Sequence, residues 1–288
     1  MNKIIFMTGA TSGLGKISAM LAASKGATLV ALARNKAKGQ KLLEDYKTKF
    51  PKGLGRIEIV EGNLSSFESI VSACKQVLSQ YLVIDMLVNN AGIMNFERTE
   101  TQDNIEETLQ VNLLSPLLLC HLLFDSLNKS KNAKIIFTSS GLHQGEINFD
   151  NLEFVANFTS FEVYRQSKLG VILACRVLSK RLKKHNISIY SQHPGMVRTE
   201  LGKRAGWISR MIFYLMGKSP EKGSQTLSYL MEEANEKLVS GEYYSDRQVT
   251  TTTPQSYDLA IGVKLLDEVD TYIGKYVDPN SPLSEKEA

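Results

Sequence analysis

The chain alternates short apolar runs with longer stretches of helical periodicity. Ile4–Met7, Thr28–Ala31, Ile57–Val60, Met86–Val88, Ile135–Phe137 and Ile187–Tyr190 read as strands. They lack clean alternation, as strands buried on both faces do. Lys16–Ser24, Lys36–Phe50, Phe67–Tyr81 and Ile105–Leu127 read as helices between them. This alternation predicts an α/β chain with a parallel sheet and helices on both faces. Right-handed crossovers then make the sheet doubly wound.

Composition narrows the field. With 43% apolar and 22% charged residues in 288, a disordered chain is excluded, and 20 Gly with 7 Pro exclude a collagen-like one. A net charge of +4 is too even for a nucleic-acid binder, so no nucleic-acid partner is expected. Cys74, Cys120 and Cys175 are far apart, form no CxxC pair, and read as reduced core thiols. The apolar stretch Leu113–Phe124 falls short of the ~20 residues that span a bilayer. The first residues show no secretory pattern, and the expected location is cytoplasmic.

The first strand runs into Thr8-Gly9-Ala10-Thr11-Ser12-Gly13-Leu14-Gly15, which opens the first helix. Glycines there permit a tight turn and let backbone approach a pyrophosphate at a helix N-terminus. That position points to a dinucleotide site on Gly9, Thr11, Ser12, Gly13, Leu14 and Gly15, in a Rossmann-type sheet. No Gly-Lys-Ser/Thr follows, which excludes a P-loop. The second strand ends in Arg34-Asn35, without the carboxylate that would hold an NAD ribose. The Arg34 guanidinium suits a 2′-phosphate, so NADP(H) is favoured over NAD(H).

Tyr164 and Lys168 stand at i, i+4 on one helical face. A free phenol titrates near ~10, and lowering it by ~3 units takes roughly 4 kcal/mol, which a nearby ammonium can partly supply. Eleven Tyr and twenty-four Lys make about one such pair by chance, and Tyr214–Lys218 is a second match. Tyr164 is preferred because it follows a strand ending in Thr138-Ser139-Ser140, at the end of the sheet where ligands sit. Ser140 is favoured over Ser139 as the active hydroxyl.

With these residues the chain resembles the short-chain dehydrogenase/reductase family over essentially its full length. The signs are Thr8–Gly15, Asn89-Asn90-Ala91-Gly92, Asn112, Ser140, Tyr164/Lys168 and His193-Pro194-Gly195. Within the family it is most similar to the retinol-dehydrogenase-like group. There the resemblance rests on the long stretch from Gly141 to Leu152, His193–Leu201 and Ser240–Asp246. It implies an oxidoreductase that moves hydride between the nicotinamide of NADP(H) and an alcohol/carbonyl pair. Tyr164 would be the acid/base, Ser140 would position the carbonyl, and Lys168 would lower the Tyr164 pKa and hold the nicotinamide ribose. Asn112 would anchor a proton relay. Asn63 and Leu64 would flank the adenine, Asn90, Ala91 and Gly92 its ribose, and Pro194, Gly195, Val197 and Thr199 the nicotinamide end. Relatives often carry Asn three residues before the serine, where this chain has Phe137.

The motifs from Thr8 to His193 must meet on one cofactor, so residues 1–277 are expected to form one domain, with a frayed tail at 278–288. A segment at about 201–225, rich in apolar residues around Trp207, would cover the substrate, which points to a small lipophilic alcohol or carbonyl compound. Packing on a partner subunit in a homo-oligomer, or contact with a membrane surface, are the other readings of this segment. His143 reads as a polar residue at the pocket rim. The four His show no metal-ligand spacing, and no metal is expected. A catalytically idle dinucleotide sensor is the alternative from another functional class.

Overall fold

The computed structural model describes residues 3–195 and 220–284. Among these, eight strands form one sheet: β1 (Ile4–Thr8), β2 (Thr28–Ala33), β3 (Arg56–Glu61), β4 (Met86–Asn89), β5 (Ala133–Thr138), β6 (Ile187–His193), β7 (Tyr243–Ser245) and β8 (Gln248–Val249). Their spatial order is β3-β2-β1-β4-β5-β6-β7-β8. Every pairing is parallel except that of β7 with β8. The expected α/β, doubly wound sheet is therefore present. All six residues of β2 are buried, which is why its sequence does not alternate.

The helices are α1 (Gly13–Ser24), α2 (Lys36–Lys49), α3 (Phe67–Gln80), α4 (Glu107–Asn128), α5 (Ser160–Arg181), α6 (Pro220–Glu232) and α7 (Leu259–Ile273). On one face, α3, α4, α5 and α7 pack over Phe6, Val30, Leu87 and Ile135. On the other, α1, α2 and α6 pack over Ile5, Met7, Leu29 and Met86. By length and composition α4 could cross a bilayer, which the shorter run Leu113–Phe124 did not suggest, but 83% of its most apolar window is buried inside this fold.

Two features depart from the sequence reading. Residues Gln110–Leu114 within α4 are wound as a π-helix. Pro116 has no N–H to give the Asn112 carbonyl, so the regular ladder is already broken there. In the described part of the tail, residues 278–284, Leu283 is buried and its carbonyl accepts from Arg181 Nη1 at 2.6 Å. Residues 196–219 lie outside the described residues. They include Val197, Thr199, Tyr214–Lys218 and most of the segment assigned to the substrate.

Candidate active site

The strand order reverses direction between β1 and β4, and a ligand cleft is expected outside the strand ends there. A cleft of about 820 Å³ opens at that place. The Thr8 hydroxyl at the end of β1 accepts from Asn90 N and Ala91 N, both at 3.1 Å, and so joins the ends of β1 and β4.

The glycine loop forms one wall. Gly9 has φ +68, and a Cβ there would lie 2.6 Å from Asn90 Nδ2 and 2.8 Å from Ala91 N. Asn90 Nδ2 donates to the carbonyls of Thr8 (3.3 Å) and Gly9 (3.1 Å), so this side chain supports the loop from beneath as well as lining the cleft. Gly15 follows closely, where a Cβ would run into the Gly9 carbonyl and Asn90 Nδ2. Ser12 stands at the N-cap of α1 without a side-chain capping bond. Asn35, Ser66 and Thr159 do cap their helices. The N-terminal amides of α1 and the Ser12 hydroxyl therefore face the cleft as ready donors for an anion.

The expected residues sort unevenly around this cleft. Gly9, Thr11, Ser12, Gly13, Leu14, Gly15, Arg34, Asn63, Leu64, Asn90, Ala91, Gly92, Ser140, Tyr164, Lys168, Pro194 and Gly195 line it. Asn35 does not. Its side chain accepts from Lys38 N and is committed to the start of α2. Lys38, in the first turn of that helix, lines the cleft beside Arg34 instead, along with Ile93 and Met94, which the sequence does not single out, and with Thr138 and His193 from its motifs. Asn63 Oδ1 accepts from Ser65 N, which makes a local turn at the cleft edge.

At the far end lie the groups able to do chemistry. Helix α5 is capped by Thr159 and carries both Tyr164 and Lys168, each buried. Ser139 gives its hydroxyl to the Lys168 carbonyl at 2.8 Å, which ties β5 to α5 and leaves Ser140 as the hydroxyl that acts on the Tyr164 phenol. Asn112 sits behind the cleft, not on its wall. Its side chain pairs with both backbone groups of Ile93, at 2.8 and 2.9 Å, and reaches Ser167 Oγ at 3.0 Å. A Cβ on Gly92 would lie 3.0 Å from Lys168 Nζ and 3.4 Å from Asn112 Oδ1, so these two groups approach the same point.

Burial pushes the Tyr164 phenol above its usual range, and the Ser140 hydroxyl pulls it back down. Lys168 Nζ lies 5.7 Å from the Tyr164 ring centre and donates to the Thr138 carbonyl at 3.0 Å. Its own pKa is pulled down to about 8 by burial. Two desolvated groups face each other, and neither gains the full benefit of a bare ion pair. His143 is also misplaced by the rim reading: it is buried, with ring nitrogens facing Ser140 O and Thr253 N. Among the described residues no group of His, Cys, Asp or Glu could hold a metal ion.

The sequence pattern of one family, short chain dehydrogenase, matches residues 3–206. The chain belongs to the short-chain dehydrogenase family. It is retinol-dehydrogenase-like, being 32% identical to retinol dehydrogenase 14 of Mus musculus over 94% of this chain and 86% of that protein. It is 31% identical to retinol dehydrogenase 11 of Homo sapiens, over 96% and 87% of the two chains. In fold, it is similar to an alcohol dehydrogenase from Thermococcus sibiricus complexed with 5-hydroxy-NADP, with a TM-score of 0.66, 20% identity and coverage of 88% of this chain and 100% of that one.

A short-chain dehydrogenase is an oxidoreductase for alcohol/carbonyl pairs and takes a nicotinamide dinucleotide. The residues present fit such a group. The cleft runs from the cations Arg34 and Lys38, past the α1 N-terminus, to Tyr164 and Lys168. The glycine wall leaves backbone, not side chain, facing the position of a pyrophosphate.

Proposed function

We propose that this short-chain dehydrogenase is an NADP(H)-dependent enzyme for a lipophilic alcohol/carbonyl pair. The observation that carries the chemistry is the Ser140–Tyr164 hydroxyl pair at the end of the cleft, with buried Lys168 beside it. When bound, the nicotinamide gives or takes the hydride. Tyr164 supplies the proton to the carbonyl oxygen, and a phenol whose pKa is raised by burial is neutral at pH 7 and holds that proton ready. Ser140 donates to the same oxygen and fixes its position. Lys168 and Asn112, which meet beside Gly92, would hold the ribose and return a proton to Tyr164. Retinol dehydrogenase relatives support a lipophilic substrate, as does the apolar pair Ile93–Met94 on the cleft wall.

The test is reduction of retinaldehyde and a series of straight-chain aldehydes by the purified protein, with NADPH and NADH compared by absorbance. Turnover with none of them, alongside tight NADPH binding, would favour the idle sensor.

Cofactor choice is assigned to Arg34 with Lys38. Both are exposed at the cleft end, and β2 runs on into Arg34-Asn35 with no acidic residue, while Glu61 on the neighbouring β3 pairs with Lys36. Arg34→Ala is expected to raise the Kd for NADPH about 10- to 100-fold, the scale of charge-assisted bonds to a phosphate, and to leave NADH unchanged. Equal weakening of both dinucleotides would remove the 2′-phosphate assignment.

The rate also has a basic limb. Burial pulls the Lys168 ammonium down to about 8. As pH rises through that value the ammonium is lost, and kcat/KM for carbonyl reduction is expected to fall. In Lys168→Met the rate is low throughout and this limb vanishes. A limb of unchanged position in that variant would assign the titration elsewhere.

A further inference from the structure

We propose that His143 is a positioning residue that, as the neutral Nδ1–H tautomer, clamps the Ser140 backbone and thereby aims the Ser140 hydroxyl. The idea rests on the roles given above to Ser140 and Tyr164. His143 Nδ1 lies 2.7 Å from the Ser140 carbonyl oxygen, and Thr253 N–H points at Nε2 at 3.3 Å. A carbonyl cannot donate, so Nδ1 must carry the proton. An amide N–H cannot accept, so Nε2 must be bare. Both contacts select one tautomer of the uncharged ring.

The Ser140 carbonyl takes a second bond from Tyr243 Oη at 3.1 Å, and the Tyr243 ring packs against His143, tilted by 57° with centres 5.2 Å apart. The carbonyl is thus held by two side-chain donors, one from the loop after β5 and one from β7. Its own hydroxyl is left to accept from Leu142 N at 3.1 Å and to meet Tyr164.

The partner of Nε2 is itself fixed. Thr253 leads into the short turn Pro254–Tyr257, where Arg176 Nη1 of α5 donates to Ser256 O (2.8 Å) and Oγ (2.5 Å). Gln255 Oε1 accepts from Ile147 N at 2.8 Å. A strap about 110 residues downstream therefore holds the loop that carries the active serine. The charged and titratable groups that face the ring are Arg176 on α5 and Tyr243 on β7. Burial, with Arg176 nearby, holds the His143 imidazole below its usual range.

Two substitutions separate the two ends of the ring. Asn places a side-chain amide near Nδ1 and can keep the Ser140 bond, whereas Gln reaches only the Nε2 position. His143→Gln is expected to lower kcat for NADPH-dependent retinaldehyde reduction roughly tenfold, the scale of one misplaced hydrogen bond. The Kd for NADPH and the KM for retinaldehyde should stay within about twofold, since neither touches His143. His143→Asn should recover most of the loss. Unchanged kcat in the Gln variant, or equal loss in both, overturns the clamp. Tyr243→Phe, which removes one hydroxyl, probes the same carbonyl without disturbing the ring, and an unchanged kcat there also counts against it.

An activity-independent readout uses 15N-labelled histidine in the full chain at pH 7.5, with the His143 signal assigned from its absence in His143→Asn. A neutral Nδ1–H signature supports the clamp. An Nε2–H or doubly protonated ring overturns it, even if wild type proves unable to reduce any carbonyl and the proposed function falls by itself.

Discussion

Tyr164→Phe should bind NADPH as tightly as the parent and reduce retinaldehyde about a thousandfold more slowly. The substitution removes one oxygen from a ring that is otherwise held in place. Tyr164 is buried on α5, its carbonyl accepts from Ser167 Oγ at 2.7 Å, and Ser167 in turn accepts from Asn112. None of these contacts uses the phenol, so the backbone and the cleft shape survive. What disappears is the phenol, the proposed proton donor beside Ser140. General acid catalysis is worth about 10²- to 10⁴-fold, and Ser140 has no comparable acidity to replace it. Stopped-flow reduction together with a fluorescence titration of NADPH separates the two quantities. A loss of less than about tenfold would mean that another group protonates the carbonyl.

Gly15→Ala should act at the opposite end of the site and with comparable force. The added methyl would be driven into the Gly9 carbonyl and Asn90 Nδ2, both inside contact distance, and neither can yield easily. Asn90 is pinned by its bonds to Thr8 and Gly9, and those bonds shape the loop itself. The loop must therefore open, which costs about 1–3 kcal/mol of stability as overpacking does elsewhere. NADPH binding should weaken by about a hundredfold or more, because the α1 amides no longer point to one place. Thermal melting and NADPH titration of the same sample check both effects. Parental affinity in this variant would show that the loop is not the pyrophosphate wall.

How far these residues were legible in the sequence follows a physical pattern. Each of the first six strands was readable, but all were drawn too short. β5 continues to Thr138 and β6 to His193, where the side chains turn polar while the strands stay paired. Apolar pattern marks the buried middle of a strand, and the polar ends are where the cleft lies. Thr138 and His193 stand at such ends, and both line the site. β7 and β8 were missed because three and two residues carry no periodicity. The hairpin signal between them was Asp246-Arg247, both at positive φ. Asn35 was misread for its neighbour: a residue of capping type before a helix was the better clue, and Lys38 is the side chain that reaches the cleft. The π-turn around Asn112 had a visible sign in Pro116, which lies inside an otherwise regular helical run. The Thr253–His143 contact had none, since nothing local couples positions 110 apart in the chain.

Helix α4 sets a kinetic demand on the making of this protein. It is apolar enough to pass for a bilayer segment, and its burial depends on α5 and α7. A ribosome releases α4 well before α7, which ends roughly 145 residues later, so at about 10 residues per second the helix waits some 15 s for its last cover. During that interval a greasy, uncharged surface is open to other nascent chains and to chaperones. Chains that stop before Leu259 should for this reason accumulate in the insoluble fraction, although Ser140, Tyr164 and Lys168 have already been made.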